Sequence, residues 1–269
     1  MFAEKNTLQP VAIITGAGRG IGASIARQLA SRQYYLVLVD ICHDDPEIGY
    51  PLASSDDLGR VLEELDNKQA VAVPVDVRDP KALDEAVQMA RERFGGLDIA
   101  IAAAGAIAGG QSVWQTSDNT WQTMIDVNLT GVFNLAKAAI PEILRRPVPR
   151  QGRFIAISST AGLVGMPRIA AYAAAKHGVI GLIKAMATEL GGEGVTVNAV
   201  CPGSTRGPML EHSAKIYDLS DSDEFASQHL TGRLLDSDEI ASAVVFLASP
   251  AASGITGTCL VVDAGFTTR

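Results

Sequence analysis

Short runs rich in valine and isoleucine alternate along this chain with longer stretches in which apolar residues recur at helical spacing. Runs that are apolar at successive positions are typical of strands in a parallel sheet covered on both faces. The predicted strands are Val11–Thr15, Tyr35–Asp40, Ala70–Val75, Ile99–Ala103, Arg153–Ser158, Val195–Val200 and Cys259–Val262. The predicted helices cover 21–32, 56–66, 81–94, 120–143, 170–190 and 237–247. This alternation predicts an α/β fold with a doubly wound parallel sheet of about seven strands and helices on both faces.

The 269 residues show no internal repeat, low-complexity tract or linker, so residues 1–269 are predicted to form a single domain. With 47% apolar and 19% charged residues, the chain is unlike disordered or collagen-like sequences. A net charge of −8 argues against non-specific binding of nucleic acid, which needs a surplus of Lys and Arg.

The three cysteines are far apart and odd in number, which predicts no disulfide framework, and neither they nor the four histidines have metal-ligand spacing. We therefore expect no metal site. The N-terminal segment has no apolar signal core, and the longest apolar run, 99–108, is about half of what a membrane span requires. These features predict a cytoplasmic protein without a membrane partner.

The first predicted strand leads into the string TGAGRGIG and then into a helix. Gly16, Gly20 and Gly22 allow a tight turn and a close approach of the backbone to a pyrophosphate, at the positive end of the helix dipole. Arg19 and Ile21 lie within the same string. Glycines also mark ordinary turns, but a strand before and a helix after the string favour a dinucleotide-binding site.

Asp40 ends the second predicted strand, close to the ~20 residues after the glycines at which a ribose-binding acid is expected. A carboxylate there accepts hydrogen bonds from the ribose hydroxyls and repels a 2′-phosphate. The alternative is an aspartate that caps a helix or turn. Arg19 is a counter-signal, since a cation can meet a 2′-phosphate, but Ile41 supplies no second cation. The pattern favours NAD over NADP.

The segment YAAAKHG places Tyr172 and Lys176 at i and i+4 on one helix face. An ammonium beside a phenol lowers its pKa from ~10 toward neutrality, as a general acid–base for hydride transfer requires. The same spacing is also common on ordinary surface helices. Ser159 lies just beyond the fifth predicted strand, where strand ends border a ligand crevice, so its hydroxyl can either bind a substrate oxygen or cap a turn.

These residues, with others in the same order and spacing, resemble the short-chain dehydrogenase/reductase family over nearly the whole chain. The motifs that carry the resemblance are TGAGRGIG, Asp76–Val77, Asn128 within DVNLTG, Ser159, Tyr172, Lys176 and CPG at 201–203. The resemblance implies a Rossmann-type domain. It also implies a catalytic tetrad made of Asn128, Ser159, Tyr172 and Lys176.

In the scheme that this resemblance implies, Tyr172 exchanges the proton and Ser159 holds the alcohol or carbonyl oxygen. Lys176 lowers the pKa of Tyr172 and binds the nicotinamide ribose. Asn128 supports a water relay from the lysine to solvent. Tyr172, Lys176 and Asn128 thus count among the cofactor-binding residues as well as the catalytic ones.

The implied cofactor contacts continue along the chain. Asp76 contacts the adenine and Val77 flanks it, while the turn formed by Pro202 and Gly203 faces the nicotinamide. The family's Asn-Asn-Ala-Gly is here AAAG at 102–105, so Ala103 and Gly105 keep the contact without the amides. The threonine usual before Pro-Met is here Gly207, so Thr205 or Ser204 is the substitute, and VDAG at 262–265 replaces VDGG.

Residues 42–55 form a polar loop longer than the family's usual one. With AAAGAIAGG, CPGST and HLTGRLL, it is similar to the actinobacterial subgroup coupled to the redox cofactor mycofactocin. That likeness implies retained NAD and electron transfer to an external redox acceptor. A loop after the ribose-binding acid can cover the adenosine half and slow cofactor exit. Alternatively, it is a surface insertion without such a role.

The predicted substrate pocket has a mostly apolar wall and a lid at 204–232. The wall residues are Ile107, Ala108, Leu163, Val164, Met166 and Ile169, and the lid offers Arg206, His212, Tyr217, Phe225 and His229. This composition predicts a hydrophobic, terpenoid- or steroid-like secondary alcohol or its ketone as substrate, and the resemblance implies hydride transfer between that substrate and NAD. The alternatives are a 3-oxoacyl-[acyl-carrier-protein] reductase and a non-catalytic NAD-binding regulatory protein. The resemblance also implies a homotetramer, with helices 120–143 and 170–190 at one interface.

Overall fold

The strands agree with the expected pattern in the computed structural model, which describes residues 9–66 and 68–268. The strands are β1 Val11–Thr15, β2 Tyr35–Asp40, β3 Ala70–Pro74, β4 Ile99–Ala102, β5 Gly152–Ile157, β6 Val195–Pro202 and β7 Cys259–Val262. They form one parallel sheet in the order β3-β2-β1-β4-β5-β6-β7. The predicted Rossmann-type α/β fold is confirmed.

The helices pack on both faces of this sheet. They are α1 Gly20–Ala30, α2 Ser55–Glu63, α3 Pro80–Phe94, α4 Asp118–Ile125, α5 Gly131–Leu144, α6 Ala170–Glu189, α7 Pro208–Ile216 and α8 Ser237–Ala248. None of the described helices combines the length and the apolar character needed to cross a membrane. The expectation about a signal core concerns an N-terminal segment of which residues 1–8 lie outside the described residues.

The central strands are apolar at every position because their side chains point alternately to the two faces of the sheet, and both faces are covered. Ile13 and Phe154 face the cluster under α3, α5 and α6, whereas Ile14 and Ile155 face the cluster under α1 and α8. All four side chains are fully buried. Successive side chains of a strand point to opposite faces, so a sheet that is covered twice needs apolar residues throughout.

Two helical features differ from the expectation. The helix predicted over 120–143 is divided, because α4 and α5 are joined by one turn of π-helix at Asp126–Thr130. Such turns insert an extra residue and often occur at functional sites. In addition, α7 forms within the segment 204–232, for which only a lid with scattered polar residues is predicted.

Candidate active site

The carboxyl ends of the central strands open onto one elongated cavity of about 700 Å³. It contains 16 of the 17 predicted cofactor-binding residues, since Asn128 is absent from its lining. The residues that it brings together are Gly16, Arg19, Gly20, Ile21, Gly22, Asp40, Ile41, Asp76, Val77, Ala103, Gly105, Tyr172, Lys176, Pro202, Gly203 and Thr205. This position, beside the crossing point of the sheet between β1 and β4, is where doubly wound folds bind ligands.

The turn between β1 and α1 is packed too closely to admit side chains at two of its glycines. Gly16 has φ +70°, and a Cβ there would lie 2.7 Å from Cα of Ala104. A Cβ on Gly22 would lie 2.0 Å from the carbonyl oxygen of Gly16. Glycine at these two positions therefore lets the turn pack against the segment after β4 and against itself. Both glycines also line the cavity at the N-terminus of α1, where unpaired N–H groups favour an anion.

Asp40 is buried at the end of β2 and accepts two backbone hydrogen bonds, each 2.8 Å long. Gly18 donates to Oδ2 and Ile41 donates to Oδ1. Burial raises the pKa of Asp40 above its ordinary value, although these hydrogen bonds and the charge of Arg19 oppose the shift. Each carboxylate oxygen still has a lone pair to offer ribose hydroxyls. Gly18, which the sequence did not single out, is needed because a Cβ would lie 3.1 Å from Oδ2.

Arg78 joins the predicted adenine side of the cavity to loop 42–55. Its guanidinium lies 2.6 Å from a carboxylate oxygen of Asp76 and 2.6 Å from one of Asp45. Desolvation of Asp76 would raise its pKa, but the hydrogen bonds from Arg78 hold that pKa below its usual value. Sequence reasoning missed Arg78 and Asp45, because nothing in the spacing shows that they pair.

Tyr172 and Ser159 meet at the other end of the cavity. The side chain of Ser159 lies near enough to the Tyr172 phenol to oppose the rise of its pKa, and it also accepts a 3.1 Å hydrogen bond from the amide of Ala161. Ser159 therefore caps a turn, as one of its two predicted alternatives has it, while its predicted contact with a substrate oxygen stays a prediction. A substrate oxygen placed here has two hydroxyl groups within reach.

The ammonium of Lys176 is hydrogen-bonded to the backbone. Its Nζ donates a 2.9 Å hydrogen bond to the carbonyl of Ile157 and lies 5.6 Å from the centroid of the Tyr172 ring. Burial raises the pKa of Tyr172 to about 12 against the effect of Ser159, and burial lowers the pKa of Lys176 to about 8. The pKa of Tyr172 is thus raised in this structure and not lowered toward neutrality as predicted, because desolvation is the largest influence and Ser159 is the group that opposes it.

Asn128 lies on the π-helical turn, behind the cavity wall and fully buried. Its Nδ2 donates 3.0 Å hydrogen bonds to the carbonyls of Ala106 and Met124, and its Oδ1 accepts a 3.2 Å hydrogen bond from the amide of Ala106. A Cβ on Gly105 would lie 3.0 Å from Oδ1 of Asn128 and 3.4 Å from Nζ of Lys176. The asparagine thus fixes the segment that follows β4, close to the lysine.

The missing asparagines of the AAAG segment are partly compensated by Thr15. Its hydroxyl oxygen accepts hydrogen bonds from the amides of Ala103 at 3.2 Å and Ala104 at 3.3 Å. Thr15 immediately precedes the glycine turn. This single hydroxyl joins the ends of β1 and β4 at the crossing point of the sheet.

His229 supports the turn that follows Pro202. Its Nε2 accepts a 3.2 Å hydrogen bond from the amide of Ser204, and its Nδ1 lies 2.7 Å from the carbonyl of Arg233. This pairing assigns the proton to Nδ1 of a neutral ring. The residue is 2% exposed. Sequence reasoning placed it on the lid without a role, because its partner lies across a loop.

The substrate half of the cavity contains part of the predicted wall and lid. Among these residues, those that line the cavity are Ile107, Met166, Ile169, Arg206, Tyr217 and Phe225. Those that do not are Ala108, Leu163, Val164, His212 and His229. Tyr50, from loop 42–55, also lines the cavity and was missed. Within the described part of the chain, no group of three or more His, Cys, Asp and Glu side chains could hold a metal ion.

Comparison with known proteins gives a consistent result. A family model described as enoyl-(acyl carrier protein) reductase matches residues 16–267. The chain is similar to (−)-trans-carveol dehydrogenase of Rhodococcus erythropolis, with 39% identity over 96% of this chain and 98% of that protein. It is also similar to a putative short-chain type dehydrogenase/reductase of Mycolicibacterium smegmatis, with 38% identity over 95% of this chain and 96% of the relative.

Among solved structures, the fold is similar to that of carveol dehydrogenase from Mycobacterium avium in complex with NAD. The TM-score is 0.91 and the sequence identity is 36%. The match covers 98% of this chain and 99% of that one.

Proposed function

The chain belongs to the short-chain dehydrogenase/reductase family, and from that premise we propose that it oxidises a hydrophobic, terpenoid- or steroid-like secondary alcohol to the ketone with NAD. The observation that carries the proposal is the convergence of Ser159, Tyr172 and Lys176 on one end of the cavity, with Nζ of Lys176 5.6 Å from the centroid of the Tyr172 ring. The apolar wall residues Ile107 and Ile169 favour a hydrophobic ring system. The two similar carveol dehydrogenases support the same substrate class.

The residues at the cofactor end of the cavity fit NAD. The turn at Gly16 and Gly22 leaves backbone where a side chain would otherwise stand, and the N-terminus of α1 suits a pyrophosphate. The buried carboxylate of Asp40 suits two ribose hydroxyls and disfavours a 2′-phosphate. When bound, NAD would supply the acceptor for the hydride.

The protein's own part of the reaction is proton transfer and positioning. Ser159 and Tyr172 hold the alcohol oxygen, and the phenolate oxygen of Tyr172 takes the hydroxyl proton as the hydride leaves the carbon. Because burial raises its pKa to about 12, Tyr172 is protonated at neutral pH, so it is the proton donor for ketone reduction and has to lose this proton before it can act as the base for alcohol oxidation. Lys176 brings a positive charge to within 5.6 Å of the centroid of the Tyr172 ring, and Asn128 holds the neighbouring backbone in place.

The same proposal includes slow cofactor exchange and mycofactocin as the external redox acceptor. Loop 42–55 is fastened to the cavity by the ion pair of Asp45 with Arg78, and Tyr50 and Ile48 are buried against the substrate half. A loop anchored at both ends slows the release of a dinucleotide beneath it. This fastening supports the retained-NAD interpretation over a surface insertion without a role.

The homotetramer and the cytoplasmic location remain predictions. Trp121 on α4 and Phe133 on α5 are 42% and 46% exposed, and an interface over 120–143 would cover both. Sedimentation at four times the chain mass of 28.2 kDa would support the tetramer, whereas a monomer would contradict it.

The test begins with extensively dialysed protein, which is denatured so that any released nucleotide can be identified by mass spectrometry. We expect NAD or NADH near one per chain, and oxidation of carveol with an artificial electron acceptor. Released NADP would contradict the interpretation of Asp40. Turnover of a 3-oxoacyl thioester with NADPH, but of no alcohol, would identify a reductase instead. Nucleotide binding without any turnover would indicate a regulatory protein.

A further inference from the structure

Loop 42–55 extends from the predicted adenosine end of the cavity to its substrate side. Tyr50 is 8% exposed and Ile48 is 6% exposed, and both belong to an apolar cluster on the substrate side. Other buried residues of this cluster include Ile107, Met124, Ile169, Tyr172 and Ile216. Tyr50 also lines the cavity itself. The loop therefore supplies part of the substrate wall.

Tyr50 is held in place from three directions. Its hydroxyl accepts a 3.3 Å hydrogen bond from the amide of Ile107 in the substrate wall. Its ring lies 5.9 Å from the guanidinium carbon of Arg19 in the glycine turn. The ring of His212, on α7 of the lid, lies 4.9 Å from the Tyr50 ring at an interplanar angle of 31°. Three separate segments thus determine where the ring stands.

His212 approaches the loop closely because the residue before Tyr50 is a glycine. A Cβ on Gly49 would lie only 2.8 Å from Cε1 of His212. Burial, with a contribution from Lys215, lowers the pKa of His212, so the ring is neutral at pH 7 and presents an aromatic face. Its Nδ1 is buried with no hydrogen-bond partner in the described part of the chain. The ring of His212 therefore interacts mainly by packing on Tyr50.

Tyr50 is also near enough to the catalytic tyrosine to act on it electrostatically. An ionised Tyr50 would oppose the ionisation of Tyr172, and this effect is absent while Tyr50 keeps its proton. Burial raises the pKa of Tyr50 as well, so its phenol is neutral at physiological pH. The neutral ring then acts as a wall of fixed size beside the reacting groups.

We propose that Tyr50 is a specificity-determining residue for the alcohol, whose ring limits the space beside Tyr172 at a position set by Ile107 and His212. This inference rests on the proposed alcohol dehydrogenase function and extends it. Contact between loop 42–55 and α7 also means that the loop and the lid share one boundary of the substrate half. The selectivity for substrate size is thus decided partly by a loop that follows the ribose-binding acid.

The test compares binding and turnover of a small and a large alcohol by NAD-loaded protein. Cyclohexanol and the bicyclic decahydro-2-naphthol are titrated by calorimetry and then assayed with an artificial acceptor, for wild type, Tyr50→Ala, Tyr50→Leu and Tyr50→Phe. In Tyr50→Ala, the preference for the bicyclic alcohol should rise about ten-fold, because the removed ring opens space next to Tyr172. Tyr50→Leu should change it in the same direction by less, and Tyr50→Phe should stay within about two-fold.

His43→Ala is the matched control, since it removes an exposed ring from the same loop outside the cavity lining. It should leave the size preference within about two-fold of wild type. If Tyr50→Ala and Tyr50→Leu release NAD faster but keep the wild-type size preference, Tyr50 only slows the release of NAD and the inference is wrong. If wild type binds both alcohols but oxidises neither, the proposed function fails, while the calorimetric preference still decides the role of Tyr50.

Discussion

The amide of Gly18 donates a 2.8 Å hydrogen bond to Oδ2 of Asp40, which joins the glycine turn directly to the end of the second strand. Oδ1 of the same carboxylate accepts the amide of Ile41. Two backbone donors thus orient the carboxylate and leave its remaining lone pairs toward the cavity. In the proposed function, this group selects NAD over NADP.

Replacing Asp40 with alanine should weaken NAD binding by about 10- to 100-fold, because a charge-assisted acceptor is lost and the Gly18 amide is left unpaired. Binding of NADP should change less, or improve, since the repulsion of a 2′-phosphate disappears. Dissociation constants for both dinucleotides, measured by fluorescence titration, test this expectation. Asp56→Ala, an exposed carboxylate on α2, is the control. Unchanged NAD affinity in Asp40→Ala would show that the carboxylate does not bind the ribose.

Tyr172→Phe should lower turnover of the alcohol by about 10²- to 10⁴-fold, because the group that transfers the proton is removed while the ring remains. NAD content per chain should be unchanged. Tyr35→Phe serves as control, since Tyr35 stacks on Phe94 outside the cavity lining. Steady-state rates and nucleotide content decide the matter. Full activity in Tyr172→Phe would exclude the proposed mechanism.

Because Lys176 is buried, we expect the free energy of unfolding of nucleotide-free protein to depend on pH. Its pKa is about 8 in the folded protein against 10.5 ordinarily, so between these values the unfolded chain binds more protons. The folded state is therefore most favoured, as far as Lys176 is concerned, above about pH 10.5, where the lysine is neutral in both states. This stabilisation is lost as the pH falls through about 8. Tyr172 has the opposite effect between pH 10 and about 12, which leaves pH 8 to 10 as the informative window.

Over that window, the free energy of unfolding of wild type should rise by about 2 kcal/mol relative to Lys176→Met. Urea denaturation at several pH values measures the difference. If the free energies of unfolding of the two proteins changed with pH in parallel, burial would not lower the pKa of Lys176.

Asp45→Asn should accelerate the release of NAD by about three- to ten-fold, because the 2.6 Å ion pair with the partly exposed Arg78 is replaced by a weaker hydrogen bond. Dilution of NAD-loaded protein into a solution of a competing nucleotide measures the rate. Asp44→Asn changes the adjacent, exposed carboxylate and provides the comparison. Equal release rates in wild type and Asp45→Asn would mean that the ion pair does not hold the loop.

His229→Phe should destabilise the protein by about 1–3 kcal/mol, since the Ser204 amide and the Arg233 carbonyl lose their partner in a buried setting. NAD binding should weaken as well, because the turn after Pro202 loses its support. Thermal denaturation and NAD titration measure the two effects. His177→Phe, at an exposed position on α6, should change neither. A stable His229→Phe with normal NAD affinity would assign His229 to packing alone.

The sequence by itself determined the fold class and singled out 16 of the residues that the structure brings together in the cavity. Strand and helix periodicities are local, so the runs at Val11–Thr15 and Tyr35–Asp40 could be read directly and agree with the structure. The glycine string and the spacing of Tyr172 and Lys176 also lie within single elements. Such patterns depend on neighbours a few residues away, which the sequence lists in order.

Only the tertiary structure decided which distant groups meet. Tyr50 reaches His212, and Asp45 reaches Arg78, through packing between segments whose separation in sequence says nothing about their contact. The raised pKa of Tyr172 has the same origin, because desolvation depends on every element that covers the phenol and not on the residue four positions away. Local patterns therefore predict the elements, whereas burial and long-range contact set the chemistry of their side chains.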